Sequence, residues 1–441
     1  MRRLFGFKDN FYAPALKGGL LVLAVMIFTL FIPDGARAAE LVIDSTIDAV
    51  DDNPGDGLCD DGSGNCTLRA AVMESNALAG DDEIFLSDEV YILTIPGTDN
   101  LAADGDLDIR DNLIIHGAGA GETVIDAGNI TRAFHLIDDD DLAQIEVRLL
   151  GLTIRSSIAG NAGGAIRNVS EILFLEGVSV QDSTAPRGGG IYVGPDGRAS
   201  IFSSAIINNS ATDDPGQERG GGIYNSGETV ILNTTISGNT AGDLGGGIFN
   251  DGGFDAVFST IAGNVTEAGL PGGIHQAVGS NTQFFGTIIA GNSTGDCGGV
   301  FIESLGYNVS TSDCNLTDPT DLPDTDPLIG PLQDNGGTTL THAVLEGSPA
   351  IDLADNEFLC LGAGIDQTGA IRPVDGDGNG SEICDAGAFE FVPAAAVPES
   401  GGDGGCSLAR PGASGTGSLA AYLLVPLFVL IARIRRRFGS L

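Results

Sequence analysis

The run Gly220-Gly-Gly-Ile-Tyr-Asn-Ser-Gly-Glu-Thr-Val-Ile-Leu-Asn-Thr-Thr-Ile-Ser-Gly-Asn239 contains both motifs that predict the architecture of this 441-residue chain. The first motif, Gly-Gly-x-Ile, recurs at spacings of 25, 32, 25 and 26 residues, with its isoleucine at Ile166, Ile191, Ile223, Ile248 and Ile274; in the last copy Pro271 replaces the first glycine. The second motif, Ile-x-x-Asn, recurs half a period later and ends at Asn209, Asn239, Asn264 and Asn292. Self-similarity at a fixed period of this length is typical of solenoids. The one long spacing contains the polar insert 212–218, which we expect to be a loop added to one coil.

Three columns of similar residues precede these asparagines. Three positions before each asparagine stand Ile206, Ile236, Ile261 and Ile289. Five positions before stand Ser204, Thr234, Ser259 and Thr287, and seven positions before stand Phe202, Leu232, Val257 and Phe285. Because successive columns are two residues apart, the pattern predicts strands that carry all three columns on one face.

Short strands separated by Gly and Asn corners favour a parallel β-solenoid, in which equivalent residues of successive coils stack on one another. We expect isoleucine to fill the core and asparagine to form an amide ladder at one corner, where a left-handed backbone is often needed. A second corner is predicted at the glycine column Gly164, Gly189, Gly221, Gly246 and Gly272. A β-sandwich does not repeat residue for residue, and propeller blades are longer, at ~40 residues or more. From Leu113, where the first full coil is predicted, to about Tyr307 there is room for seven or eight coils.

The Gly-Gly-x-Ile and Ile-x-x-Asn motifs resemble the repeats of polymorphic outer membrane proteins and of other right-handed parallel β-helix proteins. This resemblance implies an all-β fold. It places a single-stranded, right-handed parallel β-helix at residues 111–310.

A helix is predicted ahead of the repeats, over residues 66–77, with Thr67 as its N-cap. Together with residues 51–59, this segment resembles the CSLREA domain found near the N-terminus of exported β-helix proteins. The family's capping box contains a glutamate, which Ala70 replaces here. The resemblance assigns residues 39–110 to an N-terminal cap.

The segment after the repeats resembles the C-terminal part of choice-of-anchor Q proteins, which end with interchangeable surface anchors. The resemblance is carried by residues 326–352, Arg372-Pro-Val-Asp375 and Asp385-Ala-Gly-Ala-Phe-Glu390. It assigns residues 311–392 to a C-terminal cap. Because a solenoid has unpaired strand edges at its ends, we expect both caps to cover those edges.

The N-terminus has the features of a secretory signal. Basic residues precede an apolar run at 20–32, and Ala36-Arg37-Ala38 provides small residues for cleavage near Ala38 or Ala39. Residues 1–38 are therefore predicted to be a signal peptide. A membrane anchor is the alternative, although the 13 apolar residues are fewer than the ~20 of a membrane span.

The C-terminus resembles the Gly-Gly-Cys sorting signals of Gram-negative bacteria, such as JDVT-CTERM and MYXO-CTERM. Residues 393–418 form a linker that contains Gly404, Gly405 and Cys406, and residues 419–441 contain an apolar run followed by four arginines. The resemblance implies a C-terminal sorting protease, processing or lipidation at Cys406, and a location at the cell surface or outer membrane, with release from the cell as a further outcome. A tail that stays in the membrane is the alternative.

The body between these ends is strongly acidic. Residues 39–405 carry 58 acidic residues, 10 Arg and no Lys, and the whole chain has a formal net charge of -40. This composition excludes nucleic acid as a default partner, since phosphate binding needs a basic surface. It favours divalent cations.

Six cysteines lie in this body, and an even number in an exported protein predicts disulfides. Pairing of sequence neighbours gives Cys59–Cys66, Cys297–Cys314 and Cys360–Cys384. Zinc is the alternative, but its short-spaced CxxC pattern does not occur.

A Ca²⁺ site is predicted in the C-terminal cap. Asp375, Asp377 and Asn379 present oxygen ligands at alternate positions, as in the first half of an EF-hand loop. The loop's twelfth position is Ala386 instead of glutamate, and Asp385 is the fourth candidate ligand. A solvated turn is the alternative.

The sequence favours binding over catalysis. A lyase needs a cationic base and a second group that neutralises a uronate, yet the ten arginines are scattered along the body. A hydrolase needs paired carboxylates, which among 58 acids fall close together by chance. The four histidines His116, His135, His275 and His342 form no motif, and His275 is expected at the surface. Tyr192, Tyr224 and Phe249 follow column isoleucines and are expected to form an outward aromatic ladder.

We therefore predict a non-catalytic structural, adhesion or binding role. The membrane and polysaccharides or other cell-surface components are the expected partners. A polysaccharide lyase or glycoside hydrolase on the same scaffold is the alternative.

Overall fold

The predicted parallel β-solenoid is confirmed. The computed structural model describes residues 38–138, 144–300, 302–312, 314–355 and 357–393. Three long parallel sheets run through these residues, and neighbouring strands of each sheet come from successive coils. Connections between parallel strands of one sheet are right-handed as a rule.

The first sheet has ten strands. In chain-order numbering these are β1 (Glu40–Val42), β2 (Asp82–Phe85), β5 (Leu113–His116), β8 (Glu146–Leu150), β11 (Ile172–Glu176), β15 (Arg198–Phe202), β19 (Glu228–Leu232), β23 (Gly253–Val257), β27 (Asn281–Phe285) and β30 (Glu303–Ser304).

The second sheet has nine strands. They are β3 (Val90–Ile92), β6 (Val124–Asp126), β9 (Thr153–Arg155), β12 (Ser179–Gln181), β16 (Ala205–Ile207), β20 (Thr235–Ser237), β24 (Thr260–Ala262), β28 (Ile288–Ala290) and β31 (Val309–Ser310).

The third sheet has eight strands. They are β4 (Leu107–Ile109), β7 (Phe134–Leu136), β10 (Ile166–Asn168), β14 (Ile191–Val193), β18 (Ile223–Asn225), β22 (Ile248–Asn250), β26 (Ile274–Gln276) and β29 (Cys297–Gly299).

Two smaller sheets complete the strands. A parallel sheet at one corner contains β13 (Thr184–Ala185), β17 (Ser210–Ala211), β21 (Thr240–Ala241) and β25 (Val265–Thr266). An antiparallel hairpin contains β32 (Ile329–Gln333) and β33 (Thr341–Val344). The helices are α1 (Leu68–Ala77) and α2 (Glu357–Ala363).

The motif isoleucines form one interior line, as predicted. In the third sheet Ile166 pairs with Ile191, and the same register continues through Ile223, Ile248 and Ile274. All five are fully buried. Burying one isoleucine side chain contributes about 1.5–3 kcal/mol, so this column is a large part of what holds successive coils together.

The predicted amide ladder is also confirmed. The side-chain Nδ2 groups of Asn209, Asn239 and Asn264 each donate to the Oδ1 atom of the asparagine one coil further on, at 2.9–3.1 Å. The same groups donate to carbonyls of the preceding coil, so both amide hydrogens are used. The last asparagine, Asn292, donates to the buried carboxylate of Asp296 at 2.9 Å. The left-handed backbone falls on the residue before each asparagine, at Asn208, Gly238, Gly263 and Gly291.

The two repeated motifs pack against each other. A Cβ atom on Gly222 would lie 3.1 Å from the side chain of Asn239, and the equivalent glycines of the other coils meet their asparagines at 3.0 Å. The predicted glycine column is even more confined, because a Cβ atom on Gly221 would lie 2.2 Å from the carbonyl oxygen of Thr240. Neighbouring backbone therefore requires glycine at this column, whereas positive φ falls on the preceding residue, as at Gly220 (φ 65°).

The prediction that the three columns share one face is wrong. A residue with left-handed φ follows the large apolar column in each coil, and it turns the chain between the first and second sheets; these residues are Ser203, Asn233, Phe258 and Gly286. Strand alternation is interrupted there. The isoleucines therefore point into the core, whereas Phe202, Leu232 and Phe285 belong to a separate apolar cluster under the C-terminal segment.

The predicted N-terminal helix is confirmed as α1, and Thr67 accepts a hydrogen bond from the Ala70 amide at 3.1 Å. Position 70 is fully buried, which explains why the glutamate of a capping box is missing here. Arg69 fixes the helix to the solenoid, because its buried guanidinium pairs with Asp48 and donates to carbonyls of the first coil. The stack starts earlier than the predicted Leu113, since β2, β3 and β4 already form a coil within the segment assigned to the cap.

The C-terminal segment corrects the prediction of an end cap. Residues 314–325 stay at the last coil, but residues 329–393 run back along the side of the solenoid. Thr339 bonds to Ser203, Gln367 to Thr235 and Ala388 to Thr260, which belong to three different coils. This segment covers the outward apolar column, which is the column of Phe202, Leu232 and Phe285 that the left-handed turns direct away from the core. The choice-of-anchor assignment itself stays a prediction.

The three predicted disulfides are confirmed: Cys59–Cys66, Cys297–Cys314 and Cys360–Cys384. The first joins the start of α1 to the loop before it, the second lies at the last coil, and the third lies within the C-terminal segment.

The signal peptide through Arg37 and the tail, including Gly404, Gly405 and Cys406, lie outside the described residues. Within the described ranges, no helix is long and apolar enough to cross a bilayer.

We expect Asn239→Ala to lower the free energy of unfolding by about 2–4 kcal/mol, because it leaves the Ile206 carbonyl and the Asn209 amide without partners in a dry corner. Asn281→Ala, at an exposed asparagine, is the matched control and should change stability by about 0.5 kcal/mol or less. Urea titration followed by circular dichroism measures both, since the chain has no Trp. Equal losses in the two variants would contradict the ladder's role.

Candidate functional site

One outward row of the third sheet is rich in ionisable and aromatic side chains. The row follows the strand register as Asp108, His135, Arg167, Tyr192, Tyr224, Phe249, His275 and Gly298. These residues are the neighbours of the buried column isoleucines, so strand alternation points them outward. Successive members lie one coil apart, about 4.8 Å along the axis.

The aromatic ladder predicted in this row is confirmed. The rings of Tyr192 and Tyr224 are 5.4 Å apart, and those of Tyr224 and Phe249 are 5.0 Å apart. The ladder continues to His275, whose ring lies 5.7 Å from Phe249 and nearly parallel to it. Burial, aided by Arg219, lowers the pKa of His275, which favours the neutral imidazole.

Two arginines from the corner before the third sheet lie across this ladder. Arg187 and Arg219 are aligned on adjacent coils. The Arg187 guanidinium is 6.0 Å from the Tyr224 ring centre, and that of Arg219 is 5.2 Å from the Phe249 ring centre. The two covered rings are 7% and 3% exposed, whereas Tyr192 is only half-buried. Tyr192 therefore offers the accessible ring.

We call the surface formed by Arg167, Arg187, Arg219 and the ladder rings the arginine face.

The arginines of this face have no carboxylate partner among the described residues. Arg69, Arg132, Arg148, Arg155 and Arg372 each form an ion pair. In contrast, the guanidinium groups of Arg167, Arg187 and Arg219 form hydrogen bonds with a histidine ring, a glutamine side chain and a backbone carbonyl, respectively. The Nε atoms of Arg167 and Arg219 are buried without any hydrogen-bond partner. No carboxylate among the described residues therefore neutralises these three guanidinium groups.

A cleft of about 710 Å³ opens at the N-terminal end of the arginine face. Arg132, His135 and Arg167 form part of its lining, and Asp99 and Asp213 contribute from loops. The cleft lies within the usual size of ligand pockets, roughly 300–1,000 Å³.

A charged network lies in the cleft. His135 Nδ1 bonds to Asp108 Oδ1 at 2.9 Å, and His135 Nε2 lies 3.3 Å from Arg167 Nη1. Because a guanidinium only donates, this pattern assigns the proton of a neutral His135 to Nδ1, toward Asp108. Arg132 bonds to Asp106 at 2.9 Å. Burial raises the pKa of Asp108, and the hydrogen bond from His135 opposes that rise.

The oxygen and nitrogen atoms of Asp106, Asp108 and His135 lie within 4.8 Å of one another, a spacing that suits a metal ion. Arg132 and Arg167 contact two of these three groups. Two positive charges at such distances repel a cation, so the cluster is better described as an ion pair, Arg132–Asp106, beside a hydrogen-bonded pair, His135–Asp108.

The insert 212–218 is a loop, as predicted, and it lies beside the arginine face. Gln217 accepts a hydrogen bond from Arg187, and the Gly216 carbonyl accepts from Arg219 at 3.5 Å. Asp213 at the exposed tip lines the cleft. The extra seven residues of the long repeat therefore build one wall of the candidate site.

Three of the four predicted Ca²⁺ ligands lie together in the structure, and the fourth, Asp385, is not part of that group. Asp375 and Asp377 lie together with Asp352, and their carboxylate oxygens are within 4.8 Å of one another. Asn379 donates its amides to Asp375 and Asp377. Asp385 is instead fully buried and accepts hydrogen bonds from the Asp352 and Phe391 amides. Whether Ca²⁺ binds stays a prediction.

Asp385 belongs to a buried network that joins the C-terminal segment to the solenoid. Glu390 pairs with Arg372, whose guanidinium lies 4.8 Å from the Phe258 ring centre. Burial, followed by the nearby charge of Glu390, raises the pKa of Asp385 to about 8. We conclude that this network retains a proton at neutral pH.

Sequence reasoning found the aromatic ladder but missed the arginine face. Arg167, Arg187 and Arg219 are separated by 20 and 32 residues and occupy two different positions of the repeat, so no single column contains them. Their positions relative to the isoleucine motif were the available signal. Arg167 follows Ile166 directly, and the other two arginines precede a Gly-Gly-Gly-Ile run.

No family model and no curated protein sequence matches this chain. Among solved structures, it is similar to the crystal structure of pectate lyase Pel9A, with 14% sequence identity and a TM-score of 0.37. The alignment covers 81% of this chain and 98% of that chain.

We expect the free energy of unfolding to fall as the pH rises from about 4 to about 8. In this window folded Asp385 keeps a proton that the unfolded chain, with the ordinary pKa of 3.8, has already lost. One such proton gives a slope of at most about 1.4 kcal/mol per pH unit.

Asp385→Asn should reduce this slope, as measured by urea titrations at several pH values. The exposed Asp377→Asn is the matched control. Parallel stability curves for the wild type and Asp385→Asn would contradict the assignment.

Proposed function

We propose that this protein is an exported, surface-anchored β-helix that binds an acidic polysaccharide on the arginine face without cleaving it. The supporting observation is that Arg167, Arg187 and Arg219 lack carboxylate partners in the described chain, although the body contains 58 acids. Leaving a half-buried guanidinium unpaired is unfavourable for folding, so an outside anion is the simplest reason for this arrangement.

The chemistry of the face suits a sugar polymer. Guanidinium groups bind carboxylates and sulfates through charge-assisted hydrogen bonds. The half-buried Tyr192 ring offers an apolar surface with a hydroxyl at its edge. Asp99 and Asp213 at the cleft are acceptors for sugar hydroxyl groups. Because exposed charges are screened beyond about 8 Å at physiological ionic strength, acids elsewhere on the body do not cancel these contacts.

The two buried carboxylates at the cleft, those of Asp106 and Asp108, are poorly placed for hydrolysis. Asp108 is fully buried, and its two oxygens accept from His135 and the Ala102 amide. Asp106 is held by Arg132. A glycosidase needs one carboxylic acid and one carboxylate that both reach the scissile bond. We therefore favour retention of the ligand over its cleavage.

A polysaccharide lyase is the second candidate, and the position of His135 favours it. If Arg167 turned to a uronate carboxylate, His135 Nε2 would lose its contact and could accept the proton α to that carboxylate. The electrons of the broken C–H bond would form a C=C bond as the glycosidic C–O bond broke, and the leaving oxygen would take a proton from solvent. Asp108 would hold the resulting imidazolium.

Binding and cleavage can be scored separately on a panel of acidic and neutral polysaccharides, with and without Ca²⁺. We expect acidic chains to retain the protein in affinity electrophoresis, and we expect Arg167→Gln to reduce retention about tenfold. Neither unsaturated products nor new reducing ends should form. Cleavage that survives purification controls and is abolished in His135→Ala would establish the lyase instead.

Export and anchoring form a separate part of the proposal, supported by the sequence of the two ends and by the three disulfides, which are typical of oxidising compartments. We expect the mature chain to begin near Ala39 and its surface attachment to depend on Cys406.

Cys406→Ser should abolish surface labelling of intact cells while leaving the exported body folded. Fractionation with N-terminal sequencing measures both outcomes. Unchanged surface labelling of the variant would favour a tail that simply stays in the membrane.

A further inference from the structure

The arginine face is longer than the cleft, and its groups are arranged in a definite order along the solenoid axis. Arg167 leans back toward His135 of the preceding coil. Arg187 and Arg219 lean forward instead, since each covers a ring of the following coil. The accessible Tyr192 ring lies between the two groups.

Tyr192 is electrostatically coupled to both sides. Burial raises the pKa of its hydroxyl, and Arg167 and Arg187 both oppose that rise. In the strand register, Arg167 lies directly beside Tyr192 on the preceding coil, and Arg187 lies on the same coil as Tyr192 and extends to the ring of Tyr224 on the following coil. From the coil of Arg167 to that of Phe249, beneath Arg219, there are three strand steps, or about 14 Å.

We infer that the bound chain lies parallel to the solenoid axis, with one end anchored by Arg167 in the cleft, a sugar ring on Tyr192, and later acidic groups on Arg187 and Arg219. This inference rests on the proposed function and adds to it the direction of the chain, its minimum length and the order of its contacts. A disaccharide reaches Arg167 and Tyr192 only, whereas a chain of about four sugars or more also reaches Arg219.

The stacked aromatic rings give this arrangement its rigidity. Each guanidinium lies over a ring that is itself fixed between two neighbouring rings, so Arg187 and Arg219 lose little freedom when an anion binds. The ladder is thus a support for the arginines, and Tyr192 is its contact with the sugar.

The test combines ligand length with position along the face. Isothermal titration with oligouronates of two to eight sugars should show weak binding of the disaccharide and an increase of about tenfold or more once the chain reaches about four sugars. Arg167→Gln should weaken binding at every length. Arg219→Gln should weaken only the longer chains, by about tenfold, and leave the disaccharide unchanged.

Tyr192→Phe should retain most of the affinity, because the ring surface remains, whereas Tyr192→Ala should lose it at all lengths. Arg198→Gln is the matched control, since Arg198 is an exposed arginine of the first sheet that contacts Gln144 and has no ion pair among the described residues. Neutral oligosaccharides of equal length control for charge, and circular dichroism confirms that each variant is folded.

The outcomes separate this inference from the proposed function. If no acidic oligosaccharide or polysaccharide binds, the proposed function is wrong. The axial arrangement is wrong, while the binding function remains, if acidic chains bind with an affinity that does not depend on their length. The same conclusion follows if Arg219→Gln weakens binding of the disaccharide as much as it weakens binding of the octamer.

Discussion

The structure depends on the contact between the asparagine ladder and the glycines of the neighbouring corner. Each asparagine uses both amide hydrogens, one toward the coil before it and one toward the coil after it. The third glycine of the other motif leaves the space that the amide occupies. Both motifs must therefore recur with the same period. The isoleucine column runs through the same coils, so its burial and the amide ladder favour one common register.

The features predictable from the sequence were those that repeat. The interior isoleucines, the amide ladder, the aromatic ladder and the loop 212–218 all follow from alignment of the repeats. The direction of Phe202 and its equivalents did not, because one left-handed residue reverses the face of a strand and leaves no trace in the spacing. The course of residues 329–393 was missed for the same reason, since the outward apolar column is the surface that recruits them.

The candidate site illustrates a different limit. Arg167 and Arg187 occupy different positions of their coils, and only the three-dimensional path brings them to one surface. The electrostatic context is equally hidden, since an acidic composition argues against an anion site and says nothing about which cations are paired. Five arginines are neutralised by carboxylates close to them. The arginines of the arginine face contact rings and neutral polar groups instead, which position a guanidinium without neutralising its charge.

The carboxylate that terminates the amide ladder has a consequence for how such a protein can change its length. Every amide in the ladder donates toward the C-terminal end, and Asp296 accepts the last of these bonds without offering a donor to a further coil. A duplicated repeat inserted between Asn209 and Asn292 would extend the chain of donors and acceptors without a fault. A repeat added beyond Asp296 would meet an anion where it needs an amide. Variation in the number of coils should therefore arise by internal duplication, with this terminal acid kept in place.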